Sequence, residues 1–204
     1  MALLDLNPTE EAGRDPQSPV EFGVPEVAHI SLDQGKHTVR GRIRLRAPAS
    51  AVYSLLSDYG GCQRVFSNIA SSEVHRLEGG GVEVVQGCRW SFLAFSGTFL
   101  VHLAVAEDSA AGSLLFRLIR SNFMRDFEGR WTVTPPPGRR AGAAGNAEEE
   151  EGEWCEVEHV LSVVPSMPMP PPVAYYTRSI FVRQVEGILT DLRRGVEAEL
   201  AARG

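Results

Sequence analysis

From residue 36 to residue 165 the apolar side chains fall on one parity in stretch after stretch, and this alternation limits the fold more than any other feature. The clearest run is Leu93, Phe95, Gly97, Phe99, Val101, Leu103 and Val105, every second residue along one segment. Successive side chains of a strand point to opposite faces, so a period of two specifies a sheet with one buried face. From about Pro171 the pattern changes. Phe181, Val185, Ile188, Leu192, Val196 and Leu200 recur at spacings of three and four, the stripe of one long amphipathic helix. The two patterns predict an α+β chain in which a long curved antiparallel sheet is closed by a C-terminal helix. Such an arrangement can enclose an apolar cavity.

The first predicted strand, Lys36 to Arg46, directs Val39, Gly41, Ile43 and Leu45 one way and Arg40, Arg42, Arg44 and Arg46 the other. A stripe of arginines invites a phosphate-binding reading. The predicted strand from Trp154 to Pro165 carries Glu156 and Glu158 on its polar face, however, and cross-strand Arg–Glu pairs account for the stripe without a ligand. Pro48 and Ser50 open a short helix with Ser50 as its N-cap, Gly60 and Gly61 stop it, and a second helical turn is expected through Cys62 to Phe66. Further strands are expected at about 72–78, 82–90, 92–107, 113–121 and 127–134, separated by turns such as Gly79-Gly80-Gly81. The final strand turns Cys155, Val157, His159, Leu161 and Val163 inward. That makes seven strands, with two short helices after the first and the long helix over the concave face.

Residues 1–34, with Pro8, Pro16, Pro19 and Pro25 among acidic and small residues, read as a poorly ordered tail to a domain spanning 35–203. Within that domain the low-complexity stretch 135–153 reads as a long solvated loop between two strands, and its Glu148 to Glu151 run as a solvating patch. A chain of 204 residues buries roughly 70% of the surface its unfolded form exposes, so no disulfide or metal staple is required. The excess of 26 acidic over 20 basic residues argues against a general nucleic-acid binder, which needs a basic footprint. Cys62, Cys88 and Cys155 form neither a disulfide framework nor a zinc pattern, and suggest a reducing compartment. The stretch Met1 to Ile30 holds one arginine, Arg14, against six acidic residues, which fits neither a secretory signal nor an Arg-rich transit peptide. A soluble protein of cytoplasm or plastid is expected.

The order of elements, with the residues that carry it, resembles the helix-grip fold of the START and polyketide cyclase/dehydrase (SRPBCC) superfamily. Those residues are Ala47-Pro48-Ala49, Val52-Tyr53-Ser54-Leu55-Leu56, Ser57-Asp58-Tyr59, Phe66 to Ser71, Gln86-Gly87, Asp126-Phe127-Glu128-Gly129-Arg130-Trp131 and Val163-Val164-Pro165. Together they cover about residues 36–201. The branch most resembled is that of the cyclase-like and coenzyme Q-binding proteins of bacteria and plastids. That family often carries a tyrosine six residues before the strand-exit proline, where this chain has His159.

The resemblance implies a deep cavity between sheet and helix; ligand pockets of this kind hold about 300–1,000 Å³ and are mostly apolar. Gln86, Trp90, Phe95, Phe99, Phe116, Phe127, Trp131 and His159 from the sheet, with Phe181 and Ile188 from the helix, are the expected ligand-binding set. For each apolar member a plain core role is the competing reading. Gln86 and His159 stand out as polar groups on the inward parity, because burial without a partner costs about 1–3 kcal/mol. His159 is the one weak catalytic candidate, since imidazole titrates near neutrality, although a lone inward histidine is more often satisfied by a backbone carbonyl. Asp58 and Tyr59 follow a helix end, where an aspartate commonly bonds nearby backbone N–H groups. Phe123 and Met124 on one segment, and Met167 and Met169 on another, are expected at the cavity mouth. There they either make transient membrane contact or tuck over the cavity.

The expected function is the binding, shielding or transfer of a hydrophobic small molecule such as a lipid, prenylquinone or isoprenoid, with Gln86 and His159 orienting a polar head such as a quinone carbonyl. No metal, nucleotide or other cofactor is implied, and the oligomeric state is open. Two rival expectations are a cyclase or dehydratase acting on a polyketide-like substrate through His159, and a filled, cavity-less assembly or chaperone domain.

Overall fold

The alternating segments pair into one antiparallel sheet in the computed structural model of the chain. The structure describes residues 20–78, 80–92, 95–136, 153–166 and 171–203, and among these the side chains outside 90–95 and 171–177. The described elements are strands β1 (Glu26–Asp33) and β2 (Lys36–Leu45), helix α1 (Ala49–Ser57), a 3-10 turn (Cys62–Arg64), strands β3 (Ile69–Arg76), β4 (Val82–Phe92), β5 (Phe95–Asp108), β6 (Ser113–Ser121), β7 (Met124–Thr134) and β8 (Cys155–Pro165), and helix α2 (Pro171–Arg203). The strand order is β1-β2-β8-β7-β6-β5-β4-β3. After β2 the chain crosses to the far edge of the sheet, runs back strand by strand, and inserts β8 between β7 and β2.

The eighth strand corrects the expectation of seven. β1 lies in the stretch assigned to the tail, and it hid there for physical reasons. It is an edge strand whose Ile30 and Leu32 are exposed, and a bulge between His29 and Ser31 breaks its parity. The turn joining it to β2 is Gln34-Gly35, both at positive φ (45° and 81°), the two-residue hairpin geometry that Asn-Gly usually signals. The start of α1 is a smaller correction. Ser50 lies inside the helix, Pro48 takes the N-cap position, and no side chain caps it.

Two arginines of the stripe, Arg42 and Arg44, are paired with carboxylates as expected. Arg44 sits opposite Glu156 in the register and Arg42 opposite Glu158. Arg44 Nε lies 3.3 Å from Glu156, and Arg42 lies 3.3 Å from Glu26 on β1 and 3.9 Å from Glu156. The guanidinium groups of Arg44 and Arg46 also lie over the rings of Trp154 and Phe22, at 4.9 and 4.6 Å.

On the other face, Val39, Ile43, Leu114 and Val157 from the sheet meet Val52 of α1 and Val185, Leu189 and Leu192 of α2 in a fully buried core. Each such burial contributes about 1.5–3 kcal/mol. Gly41 makes the seating of α2 on β2 possible. A Cβ there would fall 2.6 Å from Leu189 Cδ1 and 2.7 Å from Val185 Cγ1, so only glycine admits the helix this close. The helix is anchored toward β1 and β2, at one side of the sheet. β7 and β8 pair as antiparallel neighbours; residues 137–152, the bulk of the stretch read as a solvated loop, lie outside the described residues, as do residues 1–19.

Candidate functional site

Because α2 is held over β1 and β2, part of the inward face of β4 to β8 is left unpacked beneath the middle of the helix. The space between is a cavity of about 1000 Å³. Its floor carries Gln86 and Cys88 of β4, Phe99, Val101 and Leu103 of β5, Phe116 of β6, Phe127, Gly129 and Trp131 of β7, and His159, Leu161 and Val163 of β8. Helix α2 supplies Ile180, Phe181, Gln184, Gly187, Ile188 and Asp191, and the segment after α1 supplies Tyr59, Cys62 and Phe66 to Ile69. A void of this size is at odds with the expectation of a filled, cavity-less domain.

The lining is mostly apolar and rich in rings. Phe99 stacks on Phe123 with centroids 4.7 Å apart, Phe66 lies 6.1 Å from Trp131, and Tyr59 meets Phe116 edge-on at 5.7 Å. Trp131 and His159 stack at 3.9 Å with their planes 22° apart.

Two buried polar residues stand among these rings. His159 Nδ1 lies 3.1 Å from the carbonyl oxygen of Arg130, and burial pushes its pKa down to about 4, so the ring is neutral at ordinary pH. Gln86 donates through Nε2 to Cys62 Sγ at 3.4 Å. Burial pushes the Cys62 thiol up and that of Cys88 up to about 12, which makes both poor nucleophiles. Tyr59 donates its hydroxyl to Glu107 at 2.8 Å; burial and that bond raise its pKa, so it stays a phenol. Asp58 takes the turn role expected of it, accepting from the Gly61 backbone N–H at 3.0 Å and from Arg64 at 2.9 Å.

A polar rim borders the opening. Ser67 donates both its backbone N–H and its hydroxyl to Asp191 Oδ2, at 2.8 and 2.6 Å, tying the segment after α1 to α2. Arg89 braces the same segment through Nη1, donating to the carbonyls of Ser67 and Ile69 at 2.8 and 2.7 Å. Asn68, Arg183 and Gln184 complete this polar part of the lining.

Of the residues expected to bind ligand, Gln86, Phe99, Phe116, Phe127, Trp131, His159, Phe181 and Ile188 all line the cavity. The side chains of Trp90 and Phe95 lie outside the described residues, although the backbone pairs Trp90 with Gly97 and Phe92 with Phe95. Phe123 and Met124 also line the cavity, but not as an exposed tip. Met124 is buried and Phe123 is half-buried against Phe99, so both tuck over the cavity. Met167 and Met169 lie outside the described residues. Sequence reasoning missed the rim of Ser67, Arg89, Gln184 and Asp191. Its only local signal was a polar residue, Asp191, beside the apolar stripe of the helix.

The family model for polyketide cyclase / dehydrase and lipid transport matches residues 45–175. The chain belongs to this family. By fold, this member of the polyketide cyclase/dehydrase and lipid transport family resembles several solved structures. A START superfamily protein from Mycobacterium smegmatis aligns with a TM-score of 0.62 at 15% identity, covering 79% of this chain and 97% of the other. The Zhui aromatase/cyclase from Streptomyces sp. R1128 aligns at 0.64 and 14%, covering 83% and 98%. A STAR-related lipid transfer protein from Xanthomonas axonopodis aligns at 0.53 and 15%, covering 84% and 98%. At such identities the likeness is one of fold. No curated protein matches this family member by sequence. Among the described residues, no helix is long and apolar enough to cross a membrane.

Proposed function

We propose that the protein binds a hydrophobic small molecule of the lipid, prenylquinone or isoprenoid kind in the cavity beneath α2 and shields it from water during transfer or presentation. The observation that carries this reading is the cavity itself: about 1000 Å³, walled by the rings of Phe99, Phe116, Phe127 and Trp131. Burying an apolar ligand there gains roughly 25 cal/mol per Å² removed from water. The family's description includes lipid transport, and one solved relative is a lipid transfer protein.

A catalytic reading draws on the aromatase/cyclase among the solved relatives and on His159 in the cavity wall. It is the weaker of the two. A ring whose pKa is held near 4 is a feeble base at neutral pH, and its hydrogen-bond partner is a backbone carbonyl, not a second catalytic side chain. A soluble setting in cytoplasm or plastid fits a carrier of this kind.

The test is to purify the protein from its own cells under native conditions and identify co-eluting organic molecules by mass spectrometry. A stoichiometric lipid or quinone supports the carrier reading and names its cargo. An empty protein that also fails to take up apolar fluorescent probes sinks it.

A further inference from the structure

The proposed function says that the cavity takes an apolar ligand; the ring of His159 says which chemical group that ligand carries. This inference rests on that reading and sharpens it. His159 Nδ1 faces the carbonyl oxygen of Arg130 at 3.1 Å. A carbonyl cannot donate, so Nδ1 carries the ring proton, and in a neutral imidazole the other nitrogen, Nε2, is then a bare acceptor. Stacking on Trp131 at 3.9 Å and the strand pairing of Trp131 with His159 fix the ring, so it cannot readily turn to present the opposite edge. Nε2 receives no hydrogen bond from the described residues, and His159 forms part of the cavity wall. Gln86 is neutral in this respect: one N–H of its amide goes to Cys62 Sγ at 3.4 Å, which leaves it a second N–H as well as its carbonyl oxygen.

A buried acceptor without a donor is destabilising, and a ligand carbonyl placed there sets lone pair against lone pair. We propose that the cavity selects apolar ligands bearing a hydroxyl donor (a phenol, a hydroquinone or an alcohol) over their quinone, ether or ester counterparts, with His159 Nε2 accepting the hydroxyl proton. A quinone carbonyl, the head group expected from the sequence, is the wrong partner for this ring.

The test titrates the purified protein at neutral pH with 2-naphthol, 2-methoxynaphthalene and naphthalene, followed by tryptophan fluorescence or calorimetry. The three probes share one apolar body and differ in the donor. Binding of 2-naphthol roughly tenfold tighter than 2-methoxynaphthalene is expected, the scale of one buried acceptor left unpaired. In His159→Phe the preference should vanish while naphthalene still binds. Should that variant fail to fold, the wild-type ratio alone decides. Equal or tighter binding of 2-methoxynaphthalene overturns the donor rule and leaves the carrier reading standing. Failure of all three probes to bind a folded protein overturns both.

Discussion

Ser67 and Asp191, distant in sequence, meet through two hydrogen bonds to a single carboxylate oxygen at the rim of the cavity. The contact joins the segment after α1 to the stretch of α2 (residues 180–191) that lines the cavity, and it is exposed to solvent. For the ligand proposed above, such a solvent-exposed contact is expected to act on entry and exit rather than on the stability of the fold.

Asp191→Ala should therefore speed dissociation of a bound apolar fluorophore by roughly three- to tenfold, the range of one to two lost hydrogen bonds to a charged group at a wet site. The melting temperature should move little. Stopped-flow displacement of the fluorophore measures the rate, and an unchanged rate would show that the opening lies elsewhere.

Gly187 lines the cavity from α2, and a Cβ built on it meets nothing within 4 Å. The position can therefore accept a large side chain without disturbing the core. Gly187→Phe should fill the opening and cut probe affinity at least roughly tenfold, while stability holds or rises, because glycine inside a helix costs about 0.5–1 kcal/mol relative to alanine. Probe titration beside thermal melting separates the two effects. Undiminished affinity would argue that the probes bind outside the cavity.

His159 gives the fold a pH dependence of definite sign. Its folded pKa of about 4 lies below the ordinary 6.5, so the unfolded chain takes up a proton that the folded chain refuses. The stability tied to this ring is fully present above pH 6.5 and is lost as pH falls toward 4, by roughly 1.4 kcal/mol per pH unit within that window. His29 and His37, whose ring nitrogens lie 3.4 Å apart, are both lowered by burial and act in the same direction. Urea midpoints at pH 7 and pH 4.5 should separate widely in the wild type and less in His159→Gln. Equal separation in both would mean that other groups carry the acid sensitivity.

The sheet was legible because its buried face imposes one parity over long strands, and a shift of one residue would turn Val157, His159 and Leu161 to the solvent. The helix was legible for the same reason at its own period. β1 was not: an edge strand buries too little on either face to write an alternation, as the exposure of Ile30 and Leu32 shows. The floor of the site followed from parity, so Gln86, His159 and the phenylalanines were within reach. The rim was not, because Ser67, Arg89 and Asp191 come together only through tertiary placement. Nor could sequence say whether Phe99, Phe116 and Trp131 fill the interior or surround a space; the answer depends on where Gly41 seats the helix.

The position of β8 sets the order in which the molecule can be made. The β1–β2 hairpin and the meander from β3 to β7 are joined into one sheet only by β8, which pairs with β2 on one side and β7 on the other. During synthesis the two pieces must wait for residues 155–165, and the apolar floor stays uncovered until α2 follows. Pairings across such separations are slow to form and leave greasy surface open while they do. The cavity is the last part of the protein to be enclosed, so a nascent chain exposes most apolar surface just before α2 closes over the sheet.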